Sequence, residues 1–149
     1  GAFAALRGDG RVYSWGDAAR GGDCSSVQQQ LRDVQQIQSS LSAFAAICRD
    51  GSVVTWGDAV RGGDSSQVQS DLRDVQQIQA SGAAFAALKG DGKVVTWGDS
   101  ARGGDSNLVR GQLVKVHQIQ ASTSAFAALR ADGVIIAWGA PDCGGNAGP

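Results

Sequence analysis

Hydrophobic and polar positions in this chain come in short bursts, and the bursts recur. Val34-Gln35-Gln36-Ile37-Gln38-Ser39 alternates apolar and polar at its start, which predicts a half-buried strand, with copies from Val75 to Ala80 and from Val116 to Ala121. After a short polar joint, Ala43-Phe44-Ala45-Ala46-Ile47-Cys48 predicts a second strand. Its alanines allow a neighbouring sheet to approach closely, and Phe44 supplies bulk. Arg49-Asp50-Gly51-Ser52 is the turn, because Asp-Gly between two apolar runs is the strongest short hairpin signal and Gly tolerates positive φ. Val53-Val54-Thr55-Trp56 is a third strand, β-branched and aromatic, ended by Gly57.

This unit repeats every 41 residues, as the spacing of Trp15, Trp56, Trp97 and Trp138 shows. Phe3, Phe44, Phe85 and Phe126 keep the same step, as do the turns Asp9-Gly10, Asp50-Gly51, Asp91-Gly92 and Asp132-Gly133. Every Trp and Phe in the chain belongs to the repeat, so these eight aromatic residues are the expected structural core. After each Trp-Gly comes a glycine-rich loop carrying Asp17, Arg20 and Asp23, then Asp58, Arg61 and Asp64, then Asp99, Arg102 and Asp105. Val68, Leu72 and Val75 follow at i, i+4 and i+7, and Val27, Leu31 and Val34 repeat them. That spacing predicts one or two helical turns, with Ser65 and Ser66 as N-caps and Gly111 weakening the third copy.

The chain divides into units 1–33, 34–74, 75–115 and 116–149, one repeat array. The first hairpin lacks a leading strand. In the last unit Ala140 and Pro141 replace the loop's Asp and the residue after it, and Gly144 to Pro149 read as a frayed end. The expected fold is all-β: a repeat array of four propeller-type blades, about three strands each, with a short helix between blades. A β-trefoil builds about this length from three repeats, and the fourth hairpin argues against it. Because the chain opens Gly-Ala-Phe inside a repeat, it reads as a piece of a longer product or of a larger assembly.

Composition narrows the function classes. A net charge of −1, with 13 basic residues spread along the repeats, gives no drive toward nucleic acid or an anionic membrane, and neither is expected as a partner. No window approaches the apolar length of a membrane-spanning helix. The three Cys fall at non-equivalent repeat positions, which argues against a disulfide framework, although a Cys24–Cys143 bridge would join the first and last units.

Candidate chemistry is sparse. The Trp residues are candidate sugar- or base-stacking platforms, but equal spacing in every unit favours a shared core. Asp9, Asp17 and Asp23 with their copies are candidate calcium ligands, yet their spacing matches neither an EF-hand nor the glycine-rich nonapeptide, and turn caps account for them. Arg20-Gly21-Gly22-Asp23 lacks the Lys-Ser/Thr of a phosphate loop, and inter-blade Arg–Asp pairs are the better reading. His117 is the only His, so no zinc site and no His-dependent triad can be assembled. The Gln-rich segments interleave with Val, Leu and Ile and read as solvated faces. The reading is therefore a non-enzymatic protein-interaction or scaffold module. It has no cofactor, protein partners rather than a small-molecule ligand, and contact loops at Asp17–Asp23, Asp58–Asp64 and Asp99–Asp105. The alternative is a calcium- or carbohydrate-binding repeat domain. The sequence leaves the compartment open.

The stretch Gln77-Ile78-Gln79-Ala80-Ser81, then Phe85-Ala86-Ala87-Leu88, then Asp91-Gly92-Lys93-Val94-Val95-Thr96-Trp97-Gly98 resembles the repeat of the regulator of chromosome condensation family. The likeness spans about half of each unit. It implies seven-bladed propellers that act as exchange-factor platforms, ubiquitin-ligase-associated domains or other interaction modules. The 41-residue unit is shorter than the family's, the loop after Trp-Gly differs, and the family's His in the second strand is Ala here. Seven such units would need about 287 residues. A segment of a ring, a smaller closed ring and an open array all fit the count.

Overall fold

The computed structural model describes residues 1–147; Gly148 and Pro149, with which the expected frayed end closes, lie outside them. Among the described residues, eleven strands form four antiparallel sheets. The first is a hairpin of β1 (Ala2–Leu6) and β2 (Val12–Gly16). The second holds β3 (Val34–Ser39), β4 (Ala43–Cys48) and β5 (Val53–Gly57), with β4 in the middle. The third holds β6 (Val75–Ala80), β7 (Ala84–Lys89) and β8 (Val94–Gly98), and the fourth β9 (Val116–Ala121), β10 (Ala125–Arg130) and β11 (Ile135–Gly139). Each sheet is one blade. The blades follow one another without closing into a ring, and the leading strands β3, β6 and β9 lie side by side.

Alternation is broken in the leading strands for a definite reason. In Val75-Gln76-Gln77-Ile78 a period of two would send Val75 and Ile78 to opposite faces. The pairing register with β7 slips between Val75 and Gln77, so Gln76 is a β-bulge. The bulge lets Val75 and Ile78 join one core cluster while Gln76 stays in solvent. Gln35 and His117 are skipped in the same way, and both are exposed.

The hairpin turns use Asp and Gly for separate tasks. Gly51 N–H donates to the Cys48 carbonyl at 2.9 Å, closing a turn that ends in Gly51 at φ +83°. Asp50 Oδ1 accepts the Ser52 N–H at 3.0 Å and the Ser52 hydroxyl at 2.6 Å. The Ser52 hydroxyl and N–H hold the Asp50 carboxyl below its ordinary range. The turns of adjacent blades also carry the joint between them: Val75 N–H donates to the Gly51 carbonyl at 3.0 Å, and Gly90 N–H, in the next blade's turn, donates to the Asp74 carbonyl at 2.9 Å. Asp74 adopts a left-handed φ of +53° to make this crossing, as do Asp33 and Lys115 in the other joints.

Burial lies between blades. β4 is buried along its whole length because a blade covers each of its faces, which is why its sequence does not alternate. Ala43, Ala45, Ile47 and Val53 of one blade pack with Phe85, Ala87 and Trp97 of the next, and the cluster around Phe126 and Trp138 repeats the arrangement. Phe44, Trp56, Phe85, Trp97, Phe126 and Trp138 are all buried. Phe3 and Trp15 correct the expectation of eight core aromatics: they are 66% and 53% exposed, because no blade covers that face of the first hairpin.

The helical spacing also resolves differently. Gln67 to Arg73 is too short to nucleate an α-helix, and only Gln69–Asp71 forms a 3-10 turn, with Leu72 buried beneath it. Neither expected serine caps that turn: Ser65 is buried and bonded to Thr55, and Ser66 gives its N–H to Asp64. The copy containing Gly111 is the longest of these turns, Asn107–Gln112. Cys24, Cys48 and Cys143 are all free, so no bridge joins the first and last units. Burial, followed by the nearby Asp50 and Asp33 charges, pushes the Cys48 thiol up despite a bond to Ser52.

Candidate functional site

Each glycine-rich loop is a compact device built from its own sequence. Asp58 accepts the Val60 N–H at 3.1 Å and so caps the 3-10 turn Ala59–Arg61, which Gly62 ends at φ +106°. Gly63 N–H returns to the Asp58 carbonyl at 2.8 Å. Asp17 and Asp99 cap the turns Ala18–Arg20 and Ser100–Arg102 identically. Asp23, Asp64 and Asp105 then accept N–H bonds from Ser25, Ser66 and Asn107, each at 2.9 Å. The Ser25 and Ser66 hydroxyls and N–H groups hold the Asp23 and Asp64 carboxyls below the ordinary range.

The Arg–Asp pairs fall within each loop rather than between blades: Arg20–Asp17 at 3.5 Å, Arg61–Asp58 and Arg102–Asp99 at 3.8 Å. They are half-exposed, and each contributes little, at most about 1 kcal/mol. The inter-blade role belongs instead to the glycines. Trp97 Nε1 donates to the Gly62 carbonyl at 3.0 Å, and the Phe85 ring lies against Gly62 so closely that any side chain there would run into it. Gly21 seats Phe44 and Trp56, and Gly103 seats Phe126 and Trp138, in the same way. Sequence reading places these glycines in a loop and misses this task. The available signal is their fixed offset from the next Phe-Trp pair.

Between the second and third loops opens a cleft of about 640 Å³. Its walls include Val60, Asp64, Asp71, Asp99, Asp105 and Arg110, and Trp97 lies at its base. Val60 is 71% exposed, while Asp64, Asp71 and Asp105 face solvent. The turn residues Asp9, Asp50, Asp91 and Asp132 are not brought to this cleft; each caps its own hairpin. Among the described residues no three His, Cys, Asp or Glu side chains gather as metal ligands. No helix among them is long and apolar enough to cross a membrane.

Comparison with solved structures decides the architecture. The chain superposes on human WBSCR16 with a TM-score of 0.59 at 24% identity, over 93% of this chain and 45% of that one. On yeast RCC1 (Prp20), solved bound to Kap60, the TM-score is 0.60 at 16% identity, over 93% and 41%. A second structure, Prp20p from Saccharomyces cerevisiae, gives 0.58 at 18%, over 93% and 41%.

The fold is that of RCC1-type propeller repeats.

The chain thus spans less than half the length of each of these neighbours. No family model matches the sequence, and no curated protein matches it. The RCC1-type blade explains why one set of positions is constant here: strands, Asp-Gly turn and Phe-Trp pair build the blade-to-blade contact. Solvent-facing loop positions vary: Val60 stands where the other two loops have Ala19 and Ala101, and Ser100 stands where they have Ala18 and Ala59.

Proposed function

We propose that this chain is a protein-interaction module whose contact surface is the succession of loops Asp17–Asp23, Asp58–Asp64 and Asp99–Asp105. The cleft between the second and third loops would seat a partner segment. The observation that carries this reading is the cleft itself. It lies between two loops stiffened by their own caps, and it sets an exposed Val60 beside solvent-facing carboxylates against one cation, Arg110. That chemistry suits a protein segment with Lys or Arg next to an apolar side chain. The neighbours give general support, since yeast RCC1 was solved with Kap60 and Prp20p was studied for binding to Gsp1p and histones.

The test is fluorescence anisotropy with two labelled peptides of equal length. One carries Lys and Arg around a Leu, and the other carries Glu at the same places. The basic peptide is expected to bind and to loosen as salt rises. Asp64→Asn combined with Asp105→Asn is expected to weaken it several-fold, because Asn keeps the capping oxygen and removes the charge. Equal binding of the acidic peptide, or no loss in the double variant, overturns the reading.

A further inference from the structure

The second unit departs from its copies at two apolar positions that meet at one end of its blade. Leu41 stands where the third and fourth units have Gly82 and Thr123, and Val60 stands where the first and third have Ala19 and Ala101. They are 69% and 71% exposed. Three bonds hold their segments together. Ser40 Oγ donates to the Arg61 carbonyl at 3.1 Å, and Arg61 Nη1 donates to Ser42 Oγ at 3.3 Å. Asp58 N–H donates to the Ser42 carbonyl at 2.8 Å. Leu41 therefore sits between two residues that grip the turn carrying Val60. It also leans toward the third blade: its N–H donates to the Gly82 carbonyl at 3.0 Å, and its Cδ1 lies 3.5 Å from where a Cβ at Gly82 would stand. Gly82 has no side chain to cover it. Both blades of this joint carry all three strands, and the cleft opens in the same joint.

We propose that Leu41 and Val60 form the apolar seat that fixes a partner segment's register on the array: they take an aliphatic side chain of that segment while its neighbouring Lys or Arg reaches Asp64 and Asp105. This rests on the reading of the cleft given above and adds to it Leu41, which lies outside the cleft's walls. The occupant is argued from the pairing of chemistries. Neither Leu41 nor Val60 side chain can hydrogen-bond, so what they recognise is apolar surface. The carboxylates beside them attract a cation. One segment that satisfies both carries an aliphatic residue next to a basic one. The register follows from the repeat. Asp64 and Asp105 recur in the first loop as Asp23, each capping its loop in the same way, so charge alone would hold a basic segment equally well at several steps along the array. The apolar pair does not recur. At the same two places the third unit offers Gly82 and Ala101, and the fourth offers Thr123 and Asp142. Apolar burial at the second unit therefore selects one step among otherwise equivalent ones.

The experiment adds a third labelled peptide to the anisotropy measurement, identical to the basic one except for Ala in place of its Leu. The parent chain is expected to bind the Leu peptide about five- to tenfold more tightly than the Ala peptide, the size of a part-buried aliphatic contact. Leu41→Thr, which installs the residue of the fourth unit, is expected to remove most of that preference. Val60→Ala, which installs the residue of the first and third units, is expected to remove part of it. Asp64→Asn combined with Asp105→Asn should instead weaken both peptides alike and leave the preference in place. The preference is a ratio, so a variant that merely loosened the fold would weaken both peptides together and leave the ratio unchanged. Equal binding of the two peptides by the parent, or an undiminished preference in Leu41→Thr, overturns the apolar seat while the cleft reading stands. Failure of the basic peptide to bind at all overturns both.

Discussion

Phe85–Trp97 and Phe3–Trp15 are the same cross-strand pair in two settings. Their ring geometries match within a few tenths of an ångström and a few degrees. Phe85 and Trp97 are 0% and 4% exposed, while Phe3 and Trp15 are 66% and 53% exposed. The stack therefore belongs to the hairpin and forms without a neighbour. Its energetic weight comes from the blade it meets. In this molecule the core is a property of joints between blades, and stability should be read joint by joint.

The sharpest way to break that comparison is to delete the ring in both settings. Phe85→Ala empties the middle of a joint and is expected to cost about 3–5 kcal/mol. Phe3→Ala removes a ring already in solvent and should cost less than about 0.5 kcal/mol in the monomer. Urea unfolding of both variants checks this, and equal costs would show that the stack itself, rather than the joint, carries the stability.

A somewhat smaller difference is expected at the glycines. Gly62→Ala meets both a φ of +106° and the Phe85 ring, and should cost about 2–5 kcal/mol from backbone strain and overpacking together. Gly144→Ala meets only the φ of +100°, and about 1 kcal/mol is expected. Thermal melts of the pair separate the two contributions. A similar cost at both would mean that backbone strain alone explains the glycine.

Smaller again is the Trp hydrogen bond. Trp97→Phe leaves the Gly62 carbonyl in the joint without its donor, and about 1–2 kcal/mol is expected. Trp15→Phe should be silent in the monomer, because Trp15 is half-exposed and nothing among the described residues accepts from its Nε1. Denaturant midpoints for the two variants test the contrast.

Much of this fold was legible in the sequence because its strands are local. Val34–Ser39 and Ala43–Cys48 fall where patterning places them, and the Asp-Gly turns sit between β-branched and aromatic runs. What was not legible involves partners far apart in the chain. The seat that Gly62 offers to Phe85 depends on how one blade lands on the next, and no local pattern reports it. The double Gln of the leading strands hid a bulge, since period two cannot express an inserted residue. The spacing of Val68, Leu72 and Val75 suggested a helix, but it comes from a 3-10 turn and a strand start sharing one core. The first-unit aromatics were misplaced because equal spacing says nothing about which joint has a neighbour. The contact loops were legible as loops, while the cleft needs two of them side by side.

The finest contrast lies between the hydroxyl relays of the first two blades. In the second, Thr55 Oγ1 donates to the Gly63 carbonyl at 3.1 Å and shares a 2.8 Å bond with Ser65, which also accepts from Gln69 at 2.8 Å. In the first, Cys24 stands where Ser65 does, and it gives its thiol hydrogen to Gln28 Oε1 at 3.3 Å. Ser14, the counterpart of Thr55, is left with a buried hydroxyl that has no partner. Cys24→Ser supplies the missing oxygen. Two terms oppose: the new bond satisfies a buried hydroxyl, worth about 1–3 kcal/mol when unmet, and the exchange of sulfur for oxygen in a 5% exposed site loses about 1 kcal/mol of apolar burial. The net expectation is a gain of up to about 1 kcal/mol for Ser and a loss for Cys24→Ala, which keeps the small size without the hydroxyl. Melting curves of the two variants against the parent decide it. If Ser destabilises as much as Ala, the relay contributes nothing in the first blade, and the orphaned Ser14 hydroxyl is without consequence.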